Sequence, residues 1–292
     1  MAKNQTIEML RIVSAFGIVW FHSTGLYIDY AGAGLVAFAV MSGYFEGGQN
    51  ISRTKPISAL AKQFLIPWLI WFVFFAIINI ARRQPLIPLD DGLISGILTG
   101  PSYHLWYLPL IFILSVVTNF AKRHMAQNLF FAITLSCCII MLTTSPVWIT
   151  IASDIQSPFS QYLHILAPLL AGLVLGLHRT YRMGFAAPAS LIFLSLTSIK
   201  SPGVGLPYAI GLASVWAASS VNFQKIDIRN VSSCMLGVYL IHPFFILVHY
   251  YIGLEIGIVS AAFAFTLSFL TIYTLRLAPE KSMLGSLVRL AT

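Results

Sequence analysis

The sequence predicts an all-α, polytopic membrane protein with about ten transmembrane helices, and three observations carry that prediction. Hydrophobic residues make up 58% of the 292 positions and charged residues only 9%, whereas soluble domains carry about a quarter charged residues. Mean hydropathy is +0.85. The apolar residues fall into runs of about 17 to 25, the length at which a helix crosses a hydrocarbon core of about 30 Å, and the charges gather in the short breaks between runs. A backbone in lipid must satisfy its own polar groups, so such runs fold as helices.

The first run, residues 7–28, holds Arg11 and His22 with ten uncharged residues between them. Eleven helical positions amount to about 1100° of rotation and about 16 Å of rise, so the two side chains share nearly one face. Ionisable groups at membrane depth are costly and face a bundle interior or a wet cavity, which makes the pair a candidate site. Chemistry alone leaves two other readings open: an arginine that snorkels to the headgroups and a histidine bound to a neighbouring carbonyl. The run is long, carries Arg11 and has no clear small-residue cleavage site after it, so it is expected to be a retained helix rather than a signal peptide.

After a turn with Asp29 and Gly32, the second run covers 33–48 and contains Met41-Ser-Gly-Tyr-Phe-Glu46. A short span interrupted by glycine is expected to line a cavity. The third run, 57–81, has Lys62 in its first turns and then Pro67-Trp68; loop 82–102 carries Arg82, Arg83, Asp90 and Asp91. The fourth, 103–121, opens with Tyr103-His-Leu-Trp-Tyr-Leu-Pro109, and the fifth, 128–146, leads into a loop at 147–160. The sixth, 161–178, begins near His164 and ends in His178-Arg179. Two shorter runs, 184–199 and 204–220, are split by Lys200-Ser-Pro-Gly203. The ninth, 231–250, contains Gly237-Val-Tyr-Leu-Ile-His-Pro243, and the tenth, 255–276, precedes an amphipathic tail with Lys281 and Arg289.

Placing the N-terminus in the cytoplasm puts fourteen of the seventeen basic residues on the inner side and only Arg82, Arg83 and Lys200 outside. That asymmetry favours ten spans with both termini cytoplasmic. The net charge of +8 is thereby a topology signal, and no nucleic-acid partner is expected. The same topology sets His22, His104, His164 and His249 toward the outer half, His242 deeper, and His124 and His178 at cytoplasmic ends. His124, His164, His178 and His249 read as interfacial. Cys137, Cys138 and Cys234 lack the spacing of a disulfide framework or zinc site, so no metal is expected. No internal repeat supports an inverted-repeat transporter, and nothing in the residues fixes an oligomeric state.

Five segments carry chemistry. Arg11 and His22 form an R-x10-H pair; Val40-Met-Ser-Gly-Tyr-Phe45 is a Ser-Gly-Tyr motif; Lys62 to Trp71 is a basic stretch leading to Pro-Trp. His104-Leu-Trp-Tyr-Leu108 and Gly237-Val-Tyr-Leu-Ile-His-Pro243 complete the set. In this order, over residues 11 to 243, they resemble acyltransferase family 3, the integral-membrane O-acyltransferases that decorate bacterial surface glycans. Members often carry several arginines where the third span begins; here only Lys62 lies inside it, with Arg53 and Lys55 further back in the loop.

The resemblance implies transfer of a short acyl group, most often acetyl from acetyl-CoA, to a hydroxyl of a surface carbohydrate or lipid-linked saccharide. Acyl-CoA is then a co-substrate and no cofactor is permanently bound. It also implies one transmembrane acyltransferase domain over 1–292 with no appended soluble domain, among the lipids of the bacterial inner membrane. The chemistry is compatible: a sugar hydroxyl is a poor nucleophile near neutral pH, and a placed base is worth about 10² to 10⁴ in rate, a task suited to histidine. His22 is the candidate base. Arg11, always charged and able to fork onto phosphate or carbonyl, is the candidate catalytic partner and donor contact, with Lys62, Arg53 and Arg179 as further donor-side cations.

Ser42, Gly43, Tyr44, His104, Trp106, Tyr107, Tyr239 and His242 are the candidate acceptor or cavity-lining residues. Ser42-Gly43 either lets backbones approach closely or gives Ser42 a substrate hydrogen bond. Trp106 and Tyr107 either stack on a sugar or sit as interfacial aromatics, and His242-Pro243 marks a kink with a freed carbonyl. The rival from another class is a transporter or flippase of a lipid-linked or small anionic substrate, in which Arg11 and His22 bind substrate and relay protons.

Overall fold

Long runs without a charged side chain leave the backbone only its own groups to bond with, and every described secondary-structure element is a helix. The computed structural model describes residues 4–23, 27–49, 54–90, 92–181, 186–197, 203–223, 226–253, 257–279 and 282–291. In chain order the helices are α1 (Gln5–Ser23), α2 (Ile28–Gly47), α3 (Ile57–Ala81), α4 (Leu93–Thr99), α5 (Tyr107–His124), α6 (Gln127–Thr143) and α7 (Ser145–Asp154). There follow α8 (Phe159–Tyr181), α9 (Ala186–Thr197), α10 (Gly205–Ser220), α11 (Arg229–Ser232), α12 (Met235–Tyr251), α13 (Ile258–Arg276) and α14 (Met283–Ala291).

Each of the ten predicted runs has its helix, in α1, α2, α3, α5, α6, α8, α9, α10, α12 and α13. By length and composition, α2, α3, α8 and α13 suffice to cross a membrane, and α6 with α7, a pair bent by 75°, makes a fifth span if counted as one. Three local expectations change. The second run is not short: α2 begins at Ile28, after Tyr27 in the left-handed region at φ 54°, and has 20 residues. Residues 147–160, expected as a loop, contain most of α7, which continues α6 across the bend at Thr144. Loop 82–102 carries the short α4, and residues 101–106 are turns, so His104 precedes α5 rather than heading it. Pro109 then sits in the first turn of α5, where its missing N–H has no helical partner to lose.

α2 is the central helix, packed along α8, α10 and α1. Its contact with α8 is a double row of glycines: a Cβ on Gly43 would fall on the Leu169 carbonyl oxygen, and one on Gly172 would fall on that of Val40. Gly47 and Gly176 repeat the arrangement one turn along. Small residues at four-residue spacing let two backbones touch. Around this seam lie two apolar cores. One joins α2, α6, α8, α9 and α10 through residues such as Val40, Cys138, Val174, Leu191 and Leu212. The other joins α1, α3, α5 and α12 through Ile18, Trp71, Leu108 and Leu240. The amphipathic tail forms α14 against α3, where Trp71 Nε1 donates to the Ala291 carbonyl at 2.9 Å.

Candidate active site

Pro243 lies inside α12, and because it has no N–H, the carbonyl four residues earlier, that of Tyr239, loses its helical partner. His242 Nδ1 takes that place, 2.7 Å from the Tyr239 oxygen. A carbonyl only accepts, so Nδ1 carries the proton and Nε2 of the neutral ring presents a lone pair. His242 is fully buried, and Nε2 has no hydrogen-bond partner among the described residues. Nearby, His104 is fixed from both sides, with Nε2 donating to the Leu240 carbonyl at 2.9 Å and Nδ1 2.9 Å from Ser102 Oγ. Tyr239 OH donates to the His104 carbonyl at 2.5 Å. These bonds pin the turn before α5 onto α12.

His22 closes this group from the last turn of α1. Its ring centroid lies 5.4 Å from that of His242 and 4.9 Å from that of Tyr103, and His242 lies 5.4 Å from His104. No hydrogen bond holds His22 among the described residues. Its ring instead stands where two cavities meet. One, of about 650 Å³, lies among α1, α3, α12 and α13 and includes Asn79, Arg82, Ser102, Pro243 and His249. The other, of about 720 Å³, lies among α1, α2, α8 and α10 and includes Asp29, Trp106, Gln161, His164 and Tyr239. His22 and Tyr103 line both.

Of the expected acceptor or cavity-lining residues, His104, Trp106 and Tyr239 line the larger cavity. Five are not in either lining. Gly43 is pressed against the α8 backbone, and Tyr44 is buried in the α2, α6, α8 core. Ser42 Oγ donates to the Phe38 carbonyl at 3.0 Å and sits 2.9 Å from Tyr107 OH, so that hydroxyl pair links α2 to α5. His242 stands behind His22. Tyr107→Phe is accordingly expected to cost about 1 kcal/mol in stability with catalysis nearly unchanged, as thermal unfolding and turnover of the purified variant would show.

At the other end of α1, the buried Glu8 carboxylate accepts from Arg11 Nη1 at 2.8 Å and from Ser232 Oγ on α11. The Arg11 guanidinium also lies 5.5 Å from the Phe45 ring centroid, and its side chain keeps 25% exposure. Arg11 lines neither cavity, and the helix rise sets it about 16 Å from His22. Lys62 is exposed on α3. Arg53 lies outside the described residues, as does the side chain of Arg179. Lys122 is buried and donates to the carbonyls of Glu46, Gly47 and Gln49, which closes the C-terminus of α2 with a cation.

Residues outside the sequence motifs complete the site. Tyr103, Gln161 and Arg82 line cavities, as do His164 and His249, which read as interfacial in the sequence. Only Tyr103, next to the His104 segment, had a local signal. The i, i+3 spacing of Glu8 and Arg11 was the signal for that ion pair. Among the described residues no group of three His, Cys, Asp or Glu side chains is placed to hold a metal ion.

None of the curated proteins or solved structures matches the chain. A family model does: the model of the Acyltransferase domain that defines acyltransferase family 3 matches residues 4–277, nearly the whole chain and all five motif segments. A helical bundle with membrane-spanning helices, built around those segments, thus belongs to acyltransferase family 3, a family of membrane acyltransferases.

Proposed function

We propose that the protein transfers a short acyl group, acetyl from acetyl-CoA, to a hydroxyl of a surface carbohydrate or lipid-linked saccharide. One observation supports this above the others: His22, without a hydrogen-bond partner among the described residues, stands at the seam of two cavities of about 650 and 720 Å³. A base there can meet two substrates at once. The acceptor enters the larger cavity, whose lining includes Trp106 and Tyr239 and where the buried Gln161 Oε1 lacks a partner among the described residues. His22 takes the hydroxyl proton as the oxygen attacks the thioester carbonyl. The C–S bond breaks and the proton passes to the departing CoA thiolate, so the base is regenerated.

Arg11 is assigned to the charged end of the donor, outside both cavity linings. Its distance from His22, about 16 Å along α1, is comparable to an extended phosphopantetheine arm, and Lys62, Arg53 and Arg179 are the further cations on that side. The reading includes a bacterial inner-membrane location, ten spans with cytoplasmic termini and a single catalytic domain. Incubation of purified protein with acetyl-CoA and cell-envelope glycan, followed by mass spectrometry of the glycan, tests it. Release of CoA matched by added acetyl groups is the expected result. Saturable movement of substrate without CoA release would replace the enzyme by a transporter. Photocrosslinking with a CoA analogue is expected to label residues near Arg11; labelling confined to the opposite end of α1 would remove Arg11 from the donor site.

A further inference from the structure

We infer that His242 is a positioning residue for His22: its Nε2 accepts an N–H from the His22 ring and so leaves the other His22 nitrogen bare toward the cavities. The inference rests on the role proposed above for His22, and it starts from an orphan. A buried polar atom without a partner is rare and calls for a cause. His242 Nε2 is such an atom, and for a neutral ring the contacts of the chain assign its tautomer. Pro243 frees the Tyr239 carbonyl, that carbonyl binds Nδ1–H at 2.7 Å, and Nε2 is left as an acceptor at a fully buried site.

The polar groups around that lone pair narrow the choice. The rings nearest to His242 are those of His22, His104 and Tyr239, at 5.4, 5.4 and 6.0 Å between centroids. His104 has both nitrogens engaged, and Tyr239 OH is spent on the His104 carbonyl. His22 alone of the three has an N–H to give. The two rings are 24° from parallel and 5.4 Å apart. Two imidazoles bridged by an N–H···N bond of about 2.9 Å would have centroids about 5 Å apart, close to the observed separation, and the bridge requires the His22 side chain to turn one nitrogen toward Nε2. In the closed form a chain of donors runs from the acceptor hydroxyl through His22 and His242 to the Tyr239 carbonyl. One end of an imidazole held by an acceptor fixes which nitrogen is the base.

A kink with a buried histidine would also need His242 to fill the freed carbonyl, but it would make no use of Nε2. Asn and Gln separate the two atoms. His242→Asn can keep a donor near the Nδ1 position, and His242→Gln places an acceptor oxygen near the Nε2 position. Two measurements are made on purified protein whose thermal unfolding matches wild type. In acyl transfer, His242→Asn is expected to lower kcat about 10²-fold with KM nearly constant, and His242→Gln to recover most of that loss. In carbethoxylation by diethyl pyrocarbonate, read by mass spectrometry against the exposed His124, modification of His22 is expected to slow in His242→Asn and recover in His242→Gln. Wild-type kcat in His242→Asn, a Gln variant as slow as Asn, or unchanged His22 modification would each overturn the inference. The second measurement needs no turnover, so it decides the His22–His242 contact even if the protein proves not to be an acyltransferase.

Discussion

His22→Ala is expected to lower kcat for acyl transfer by about 10² to 10⁴ while the protein stays folded. The size follows from the chemistry: a sugar hydroxyl must lose its proton as it attacks, and among the described residues His22 is the imidazole on the seam of both cavities with no hydrogen bond to hold it. His104 cannot take over, because the Leu240 carbonyl and Ser102 occupy its nitrogens, and His242 stands behind His22 with no place in either lining. The fold is expected to survive because the lost ring lines the two cavities and its removal frees only one buried acceptor, His242 Nε2, which is without a partner among the described residues already. KM for both substrates is expected to change little, since the interaction removed is one made in the transition state. Folded His22→Ala protein with full acyl transfer would refute the assignment.

Much of this molecule was legible in its residues, and the reasons for the misses are physical. The ten helical runs stood out because an apolar stretch must satisfy its own backbone groups, although only four or five of the described helices are long and apolar enough to cross a membrane. The partners His22, His104 and Tyr239 lay inside motif segments, so their convergence on one site needed only those segments to meet. What the residues concealed was contact between helices distant in sequence. Gln161, His164 and Arg82 become site residues only once α8 packs along α2 and α3 along α5. Lys122 was one basic residue among others at a helix end until α2 ended against it. His242 was half visible: the following proline announces a freed carbonyl, but only the packed structure leaves the remaining nitrogen buried without a partner among the described residues and sets the His22 ring 5.4 Å from that of His242.

Gly43→Val and Gly172→Val are each expected to cost about 3 kcal/mol or more, enough to remove most folded protein. In both, the new side chain meets backbone rather than a flexible neighbour: Leu169 O and Leu173 N for Gly43, Val40 O and Tyr44 N for Gly172. Close-packed interiors transmit such strain rather than absorb it. Gly257→Ala is the control, since its backbone is extended at φ 172° and no atom lies within 4 Å of the added carbon; it is expected to stay within about 0.5 kcal/mol of wild type. Thermal unfolding and size-exclusion profiles of the three detergent-solubilised variants would check this, and a Gly172→Val protein as stable as Gly257→Ala would contradict the packing. The same seam bears on function. The larger cavity takes one wall from α2, at Gly32, Leu35 and Val36, and another from α8, at Gln161, His164 and Ile165. The separation of α2 and α8 is set by Gly43, Gly47, Gly172 and Gly176, so these glycines fix the width of the space in which His22 meets the acceptor. Gly43→Ala, the mildest change at the seam, is therefore expected to raise KM for the acceptor in whatever fraction remains folded, while the bond from His242 Nδ1 to Tyr239, in a different helix, stays intact.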